Sequence, residues 1–296
     1  MSTPAGLPFL KGHGTENDFV ILPDPDGALT LSPEAVARLC DRRAGVGADG
    51  LLRVVRCDAL PEGRALAGEA RWFMDYRNGD GSVAEMCGNG VRVFARFLWH
   101  AGLTEDTEIA VGTRAGIRTA RLGADGGVTV GMGRAELPSG PGGTATVTVG
   151  ERSWPAVHVD MGNPHAVAFV AELDDAGPLL EAPGVAPAEA YPHGTNVEFV
   201  VDRGAAHVAL RVHERGSGET RSCGTGACAV MVAAARRDGH DPAADGRAVT
   251  YTVDVPGGRL SITERADGVI EMTGPAVIVA EGVLDPAWLD PAALRA

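Results

Sequence analysis

Cys87-Gly-Asn-Gly-Val-Arg-Val-Phe-Ala95 and Cys223-Gly-Thr-Gly-Ala-Cys-Ala-Val-Met231 share one grammar, Cys-Gly-x-Gly running directly into a helix-forming apolar stretch. The two cysteines stand 136 positions apart, close to half of the 296-residue chain. A motif repeated at that spacing marks an internal duplication. Polar residues lead into both copies: Asn78 lies nine positions before Cys87, and Glu214 lies nine before Cys223. A second echo pairs Gly14-Thr-Glu-Asn17 with Gly162-Asn-Pro-His165, each entering an apolar run. The expected architecture is α+β: two pseudo-symmetric α/β domains facing a central cleft, with the Cys-Gly-x-Gly turns meeting there. Residues 1–133 form the first domain around Cys87, residues 134–274 the second around Cys223, and the final stretch 275–296 returns to the first. The Pro/Gly-rich segment Leu137–Gly143 marks the crossover.

Working outward, short runs rich in Val and Ile predict strands at Phe19–Leu22, Leu51–Val55, Thr107–Val111 and Val128–Met132, then at Ala166–Val170, Val197–Val201, Ala209–His213 and Val249–Val253. After Thr273-Gly-Pro275, Ala276–Ala280 is the returning strand. Three stretches read as helices. Ser32 caps a helix with Pro33 at its first position and Glu34–Arg42 as its body; Gly90–His100 is stopped by Gly102; Ala227–Arg237 is stopped by Gly239. Runs of strands broken by isolated helices favour α+β over an alternating parallel sheet.

Composition narrows the function. The net charge of −13 is the wrong surface for nucleic acid or anionic membranes. No apolar run has the roughly 18–20 residues of a membrane span, and the opening segment has no signal-peptide pattern, so a cytoplasmic protein is expected. Five cysteines, odd in number and widely spread, do not form a disulfide framework. Cys40, Cys57 and Cys228 read as packing residues.

Cys87 and Cys223 read differently. The thiolate is the reactive form of cysteine, and a helix start with bare N–H groups favours it. Glycines on either side of Asn89 and Thr225 leave those N–H groups open to an anion. Each motif thus offers a tuned thiol beside a carboxylate site, which suits removal of an α-proton by one thiol and return of a proton by the other. Most enzymes that do this chemistry use a cofactor. Pyridoxal phosphate needs a Schiff-base lysine, and Lys11 is the sole lysine, with no phosphate-cradling loop beside it. Gly45-Val-Gly47-Ala-Asp-Gly50 fits a dinucleotide fingerprint, but it follows a helix and precedes a strand, the reverse of the required order. The histidines show no metal-ligand spacing, so neither a metal nor a cofactor is expected. His213 alternates within a strand and reads as structural, whereas His165 heads one.

These motifs match a family. Through His13-Gly-Thr-Glu-Asn17-Asp-Phe19, Asp75-Tyr-Arg-Asn78-Gly-Asp-Gly-Ser82, Met86-Cys-Gly-Asn-Gly90, Gly162-Asn-Pro-His165, Thr195-Asn-Val-Glu-Phe199, His213-Glu-Arg-Gly-Ser-Gly-Glu-Thr220 and Ser222-Cys-Gly-Thr-Gly226, the chain resembles the diaminopimelate epimerases along nearly its whole length. The resemblance implies two α/β barrels, each around a central helix, no cofactor, and interconversion of LL- and meso-diaminopimelate in lysine and cell-wall precursor synthesis. It implies Cys87 as proton donor and Cys223 as acceptor, with His165 and Glu214 tuning the thiols. Substrate contacts fall to Asn17, Asn78, Asn163, Asn196, Glu214 and Arg215, the last gripping the distal carboxylate. The backbone N–H groups of Gly88-Asn89 and Gly224-Thr225 fall on the reacting carboxylate. The implied partner is this small molecule, with no nucleic acid and no membrane; a homodimer is left open.

Two positions depart from the pattern: Gly50 stands where some members carry a substrate-contacting Gln, and Glu16 stands where Gly is common. Glu16 adds a charge near the pocket mouth, with a change in substrate preference as the expectation. Other readings are a racemase of another amino acid and a non-catalytic amino-acid binding protein. Proline racemase-type enzymes carry His where Asn89 stands, and phenazine-type isomerases lack the cysteine pair.

Overall fold

The computed structural model describes residues 6–140, 145–285 and 288, so part of the crossover segment Leu137–Gly143 lies outside the described residues. The chain divides into two units, residues 1–130 with 275–296, and residues 131–274.

The first unit opens with a hairpin. Strands β1 (Leu7–Gly14) and β2 (Asn17–Pro23) are joined by the two-residue turn Thr15-Glu16, whose φ angles of 51° and 60° are both left-handed. Helix α1 (Pro33–Cys40) starts as expected, with the Ser32 hydroxyl accepting from the Ala35 N–H at 3.2 Å. It ends two residues before the predicted Arg42. The Asp41 carboxylate accepts from the N–H groups of Arg43 and Ala44, and the N–H groups of Val46 and Gly47 turn back to the Leu39 carbonyl. The glycine-rich stretch after α1 is therefore its C-terminal closure. It delivers the chain into β3 (Gly50–Arg56), which runs parallel to β2 and antiparallel to β4 (Trp72–Asn78). Helix α2 (Gly88–His100) follows, then β5 (Glu108–Thr113) parallel to β4. The strands β6 (Gly116–Leu122) and β7 (Gly127–Arg134) continue antiparallel.

Val91, Val93, Phe94, Ala95 and Leu98 of α2 are fully buried, and the helix touches β1 to β6 in turn. A helix buried around most of its circumference must be enclosed, and here the sheet wraps it. Each buried Phe, Leu or Val contributes about 1.5–3 kcal/mol.

The second unit repeats this plan. Its strands are β8 (Ala145–Val149), β9 (Arg152–Asp160), β10 (Pro164–Phe169), β11 (Gly184–Ala186), β12 (Asn196–Gly204), β13 (His207–Glu214) and β14 (Gly218–Thr220). Helices α3 (Gly224–Arg237) and α4 (Pro242–Asp245) come next, then β15 (Val249–Val255), β16 (Gly258–Glu264) and β17 (Val269–Pro275). From β9 through β10, β12, β13, β15, β16 and β17 the pairings run antiparallel, parallel, antiparallel, parallel, antiparallel, antiparallel. From β1 to β7 the order is the same. Helix α3 takes the place of α2. The outer neighbour of β9 is β8, which precedes it in the chain. The outer neighbour of β1 is β18 (Val277–Leu284), the last strand among the described residues.

Several strands carry no clean sequence signal. The strands β1, β4 and β6 hold Lys, Arg or Asp among their apolar residues, and in β4 the charge is internal. Asp75 is fully buried and receives Arg77 Nε at 2.8 Å and an Arg114 nitrogen at 2.7 Å. Burial alone raises a carboxyl, but these guanidiniums outweigh it and hold Asp75 below its ordinary range.

Candidate active site

Both cysteines are helix N-caps. The expected helices from Gly90 and Ala227 begin earlier, at Gly88 and Gly224, because each sulfur takes the capping position usually held by a Ser or Asp oxygen. Cys87 and Cys223 have extended backbones, and their Sγ atoms accept from the N–H groups of Gly90 at 3.4 Å and Gly226 at 3.3 Å. The second glycine of each motif has a further reason to be glycine. A Cβ at Gly90 would lie 3.2 Å from a Leu52 methyl, and one at Gly226 would lie 2.8 Å from Glu198 Oε1. The helix starts are pressed onto β3 and β12, so this bareness serves packing against the sheet.

In the first unit, Cys87 Sγ lies 3.6 Å from Asn17 Oδ1, and Asn89 Nδ2 donates to the same oxygen at 3.2 Å. Asn17 Nδ2 donates to Asp49 Oδ2 at 2.9 Å. Asn78, at the end of β4, is held separately: Tyr76 donates its hydroxyl to Asn78 Oδ1 and Asn78 Nδ2 donates to Ser82 Oγ, both at 2.9 Å. Gly50 has no room for a side chain, since a Cβ there would meet the Arg77 carbonyl at 2.6 Å and the Tyr76 ring at 2.8 Å. Tyr76, which bonds Asn78, thus lies against Gly50.

The second unit gathers more charge. Cys223 Sγ is 3.5 Å from Thr225 Oγ1, which accepts from Asn163 Nδ2 at 3.4 Å. His165 is fully buried; its Nδ1 is 2.6 Å from Glu198 Oε1 and its Nε2 3.1 Å from Asn163 Oδ1. Glu214 hydrogen-bonds Thr220 and the Cys223 thiol, and burial pushes its carboxyl above the ordinary range. Burial pushes the Cys223 thiol well up, the carboxylates of Glu214 and Glu198 add to this, and the Thr225 hydroxyl and Gly226 N–H oppose it. Asn196 Oδ1 accepts from the Arg215 N–H at 2.9 Å, while the exposed Arg215 side chain reaches the His193 carbonyl at 3.3 Å. His213 is buried within β13.

Sequence reasoning passed over Glu198. Its signal was a carboxylate inside the apolar run Val197-Glu-Phe-Val-Val201, where an unpaired charge is costly. The strand registers identify its counterpart: Tyr76 pairs with Leu52, and Val212, 136 positions after Tyr76, pairs with Glu198. Leu52 and Glu198 thus back the two helix starts, one apolar and one acidic. By the same spacing, buried Arg92 corresponds to buried Cys228. Cys40, Cys57, Cys223 and Cys228 are buried and Cys87 is partly exposed, all without disulfides. Lys11 is ion-paired with Asp18 at 2.6 Å and donates to the Gly47 carbonyl. Among the described residues no cluster of His, Cys, Asp and Glu has metal-binding geometry, and no helix is long and apolar enough to cross a membrane.

The fold belongs to a group with known members. A hydroxyproline epimerase from Agrobacterium vitis superposes with a TM-score of 0.67 at 15% identity, covering 99% of this chain and 96% of that one. A phenazine biosynthesis protein of the PhzF family from Bacillus anthracis gives 0.67 at 17% identity, over 94% and 98%. Duplicated α/β units of this kind define the diaminopimelate epimerase and proline racemase-like class.

Sequence likeness is narrower. The family model for diaminopimelate epimerase matches residues 9–138 and 157–279. Diaminopimelate epimerase of Streptomyces coelicolor is 71% identical over 96% of this chain and 97% of its own, and that of Thermobifida fusca 50% identical over 93% and 96%. The chain belongs to the diaminopimelate epimerase family and, as a member, is an isomerase.

Proposed function

We propose that this chain interconverts LL- and meso-2,6-diaminopimelate by two-base proton transfer, in the synthesis of lysine and peptidoglycan precursors. The observation that carries the reading is the pair of thiol-capped helix starts, one in each copy of the duplicated unit. A helix start offers free N–H groups and the positive end of a dipole, which suit a carboxylate next to the reacting carbon. Gly88-Asn89 and Gly224-Thr225 supply those groups. In the LL-to-meso direction Cys223 takes the α-proton as thiolate, and Cys87, as thiol, returns one to the opposite face. Burial and the Glu214 and Glu198 carboxylates disfavour that thiolate before substrate binds, and the substrate ammonium, pairing with Glu214, offsets them. Glu214 takes the substrate ammonium, and the amides of Asn17, Asn78, Asn163 and Asn196 complete the polar lining. Arg215 grips the distal carboxylate with a guanidinium fork. His165 adjusts the charge around Cys223.

We read the enzyme as independent of pyridoxal phosphate and as cytoplasmic. The engagement of Lys11 with Asp18 and Gly47 supports the first, and five cysteines, odd in number and widely spread, with an acidic composition suit the second. Sedimentation of the purified chain tests the homodimer that the sequence leaves open.

Cys87→Ala and Cys223→Ala each remove the acid or base of one face and should abolish epimerisation with the fold retained. Exchange of the α-proton in deuterated water, read across a panel of amino acids, decides the substrate. Near-normal turnover by either variant rejects the two-thiol chemistry. Exchange confined to another amino acid rejects diaminopimelate.

A further inference from the structure

The hydrogen bonds behind Cys87 have a direction. Asp49 can only accept, so it draws the Nδ2 of Asn17 toward itself at 2.9 Å. Arg92 can only donate, and one of its terminal nitrogens lies 2.6 Å from Asn89 Oδ1, which leaves Asn89 Nδ2 to donate to Asn17 at 3.2 Å. An acid at one end and a guanidinium at the other therefore turn the same Asn17 oxygen toward the sulfur, 3.6 Å away. Arg92 is itself fixed, fully buried, by Thr15 Oγ1 at 3.0 Å and the Pro275 carbonyl at 2.8 Å. A Cβ at Gly14 would lie 3.1 Å from its guanidinium. The counterpart helix has Cys228 at this place, and its capping thiol meets the Thr225 hydroxyl, which is able to donate.

We propose that Arg92 and Asp49 are positioning residues that lock the Asn17 amide with its carbonyl oxygen on Cys87, so that this thiol is held with its proton and the resting enzyme has Cys87 ready to donate. The proposal rests on the two-thiol reading. The other charged groups on this side are Asp18, Arg42 and Lys11 around Asp49, and Glu85 two residues before the thiol.

The test is the pH dependence of Cys87 alkylation by iodoacetamide in the full-length Cys223→Ser chain, followed by peptide mass. The thiolate is the form that reacts. Releasing the Asn17 amide lets its NH₂ turn to the sulfur, which favours the thiolate. The alkylation midpoint should then fall by about one pH unit, with about tenfold faster reaction at a fixed pH below it. Because Asp49 alone still holds the Asn17 NH₂ when Arg92 is replaced, the deciding variant is Arg92→Gln/Asp49→Asn. It frees the amide at both ends with the net charge unchanged, so that a lowered midpoint reports orientation and not charge. Arg92→Lys, still only a donor, should stay near the parent. Should the double variant fail to fold by its thermal melt, Asn17→Ala decides, since it removes the carbonyl oxygen held on the thiol without changing charge. An unchanged or raised midpoint in the deciding variant overturns the proposal, and a lowered one supports it. The measurement needs no substrate. A chain that alkylates as expected yet does not epimerise diaminopimelate removes the reading of the reaction and leaves the relay.

Discussion

Glu16 sits at the second position of a hairpin turn with φ 60°, a conformation that L side chains adopt at a cost of about 1–2 kcal/mol and glycine adopts freely. Glycine would suit this position for a backbone reason, distinct from any charge effect on the substrate. Glu16→Gly gives back part of that strain and loses some in unfolded-chain entropy, for a net gain of about 1 kcal/mol. The expected rise in melting temperature is about 2–4 °C by calorimetry. Arg215 is where specificity is expected to separate from chemistry, because the matching place before Cys87 is Gly79. Arg215→Ala should weaken kcat/KM for diaminopimelate by about 2 kcal/mol, the worth of a charged hydrogen bond. An analogue without the distal carboxylate should lose little more in the mutant than in the parent. Measuring two proteins against two substrates checks this, and additive losses would show that Arg215 does not contact that carboxylate.

A helix capped by sulfur makes the catalytic residue a structural one as well. Substitution by Ala removes the acceptor of the Gly90 or Gly226 N–H, whereas Ser keeps an oxygen there. Cys87→Ser should therefore melt above Cys87→Ala, by the equivalent of about 1 kcal/mol, with both devoid of epimerase activity. The repeat that exposes these caps was legible because glycine, cysteine and spacing are local signals. The strands β2, β3, β12 and β13 were legible too, since their Val and Ile runs are buried on both faces. The strands β1, β4 and β6 were not, because charged side chains interrupt their patterns and find partners only in the tertiary fold, as Asp75 does. The helix starts were read two or three residues late, because Gly-x-Gly carries little helix propensity and the sulfur cap has no sequence rule. Glu198 escaped for a related reason: a lone Glu in a strand does not announce its histidine partner on β10.

Across the whole molecule, acid should find the first unit through Asp75. Its carboxyl is depressed in the folded state, so the stabilisation is complete above the unfolded value near ~4 and is lost as pH falls through the folded value. Asp75→Asn should be less stable at pH 7 by about 3 kcal/mol, as expected when a buried ion pair loses one member. The difference from the parent in urea melts should narrow below about pH 4; a constant difference across that range would deny Asp75 this role. The route of the chain carries a different consequence. The second unit is built from one continuous stretch, but the first closes only when β18 pairs with β1, Leu7 opposite Leu284, and when the Pro275 carbonyl meets Arg92. On the ribosome the first unit is thus completed only after the second has been made. A nascent chain carries both thiols before the strand and the carbonyl that steady the Cys87 end exist, so translation order itself delays the appearance of a working acid until β18 has been made.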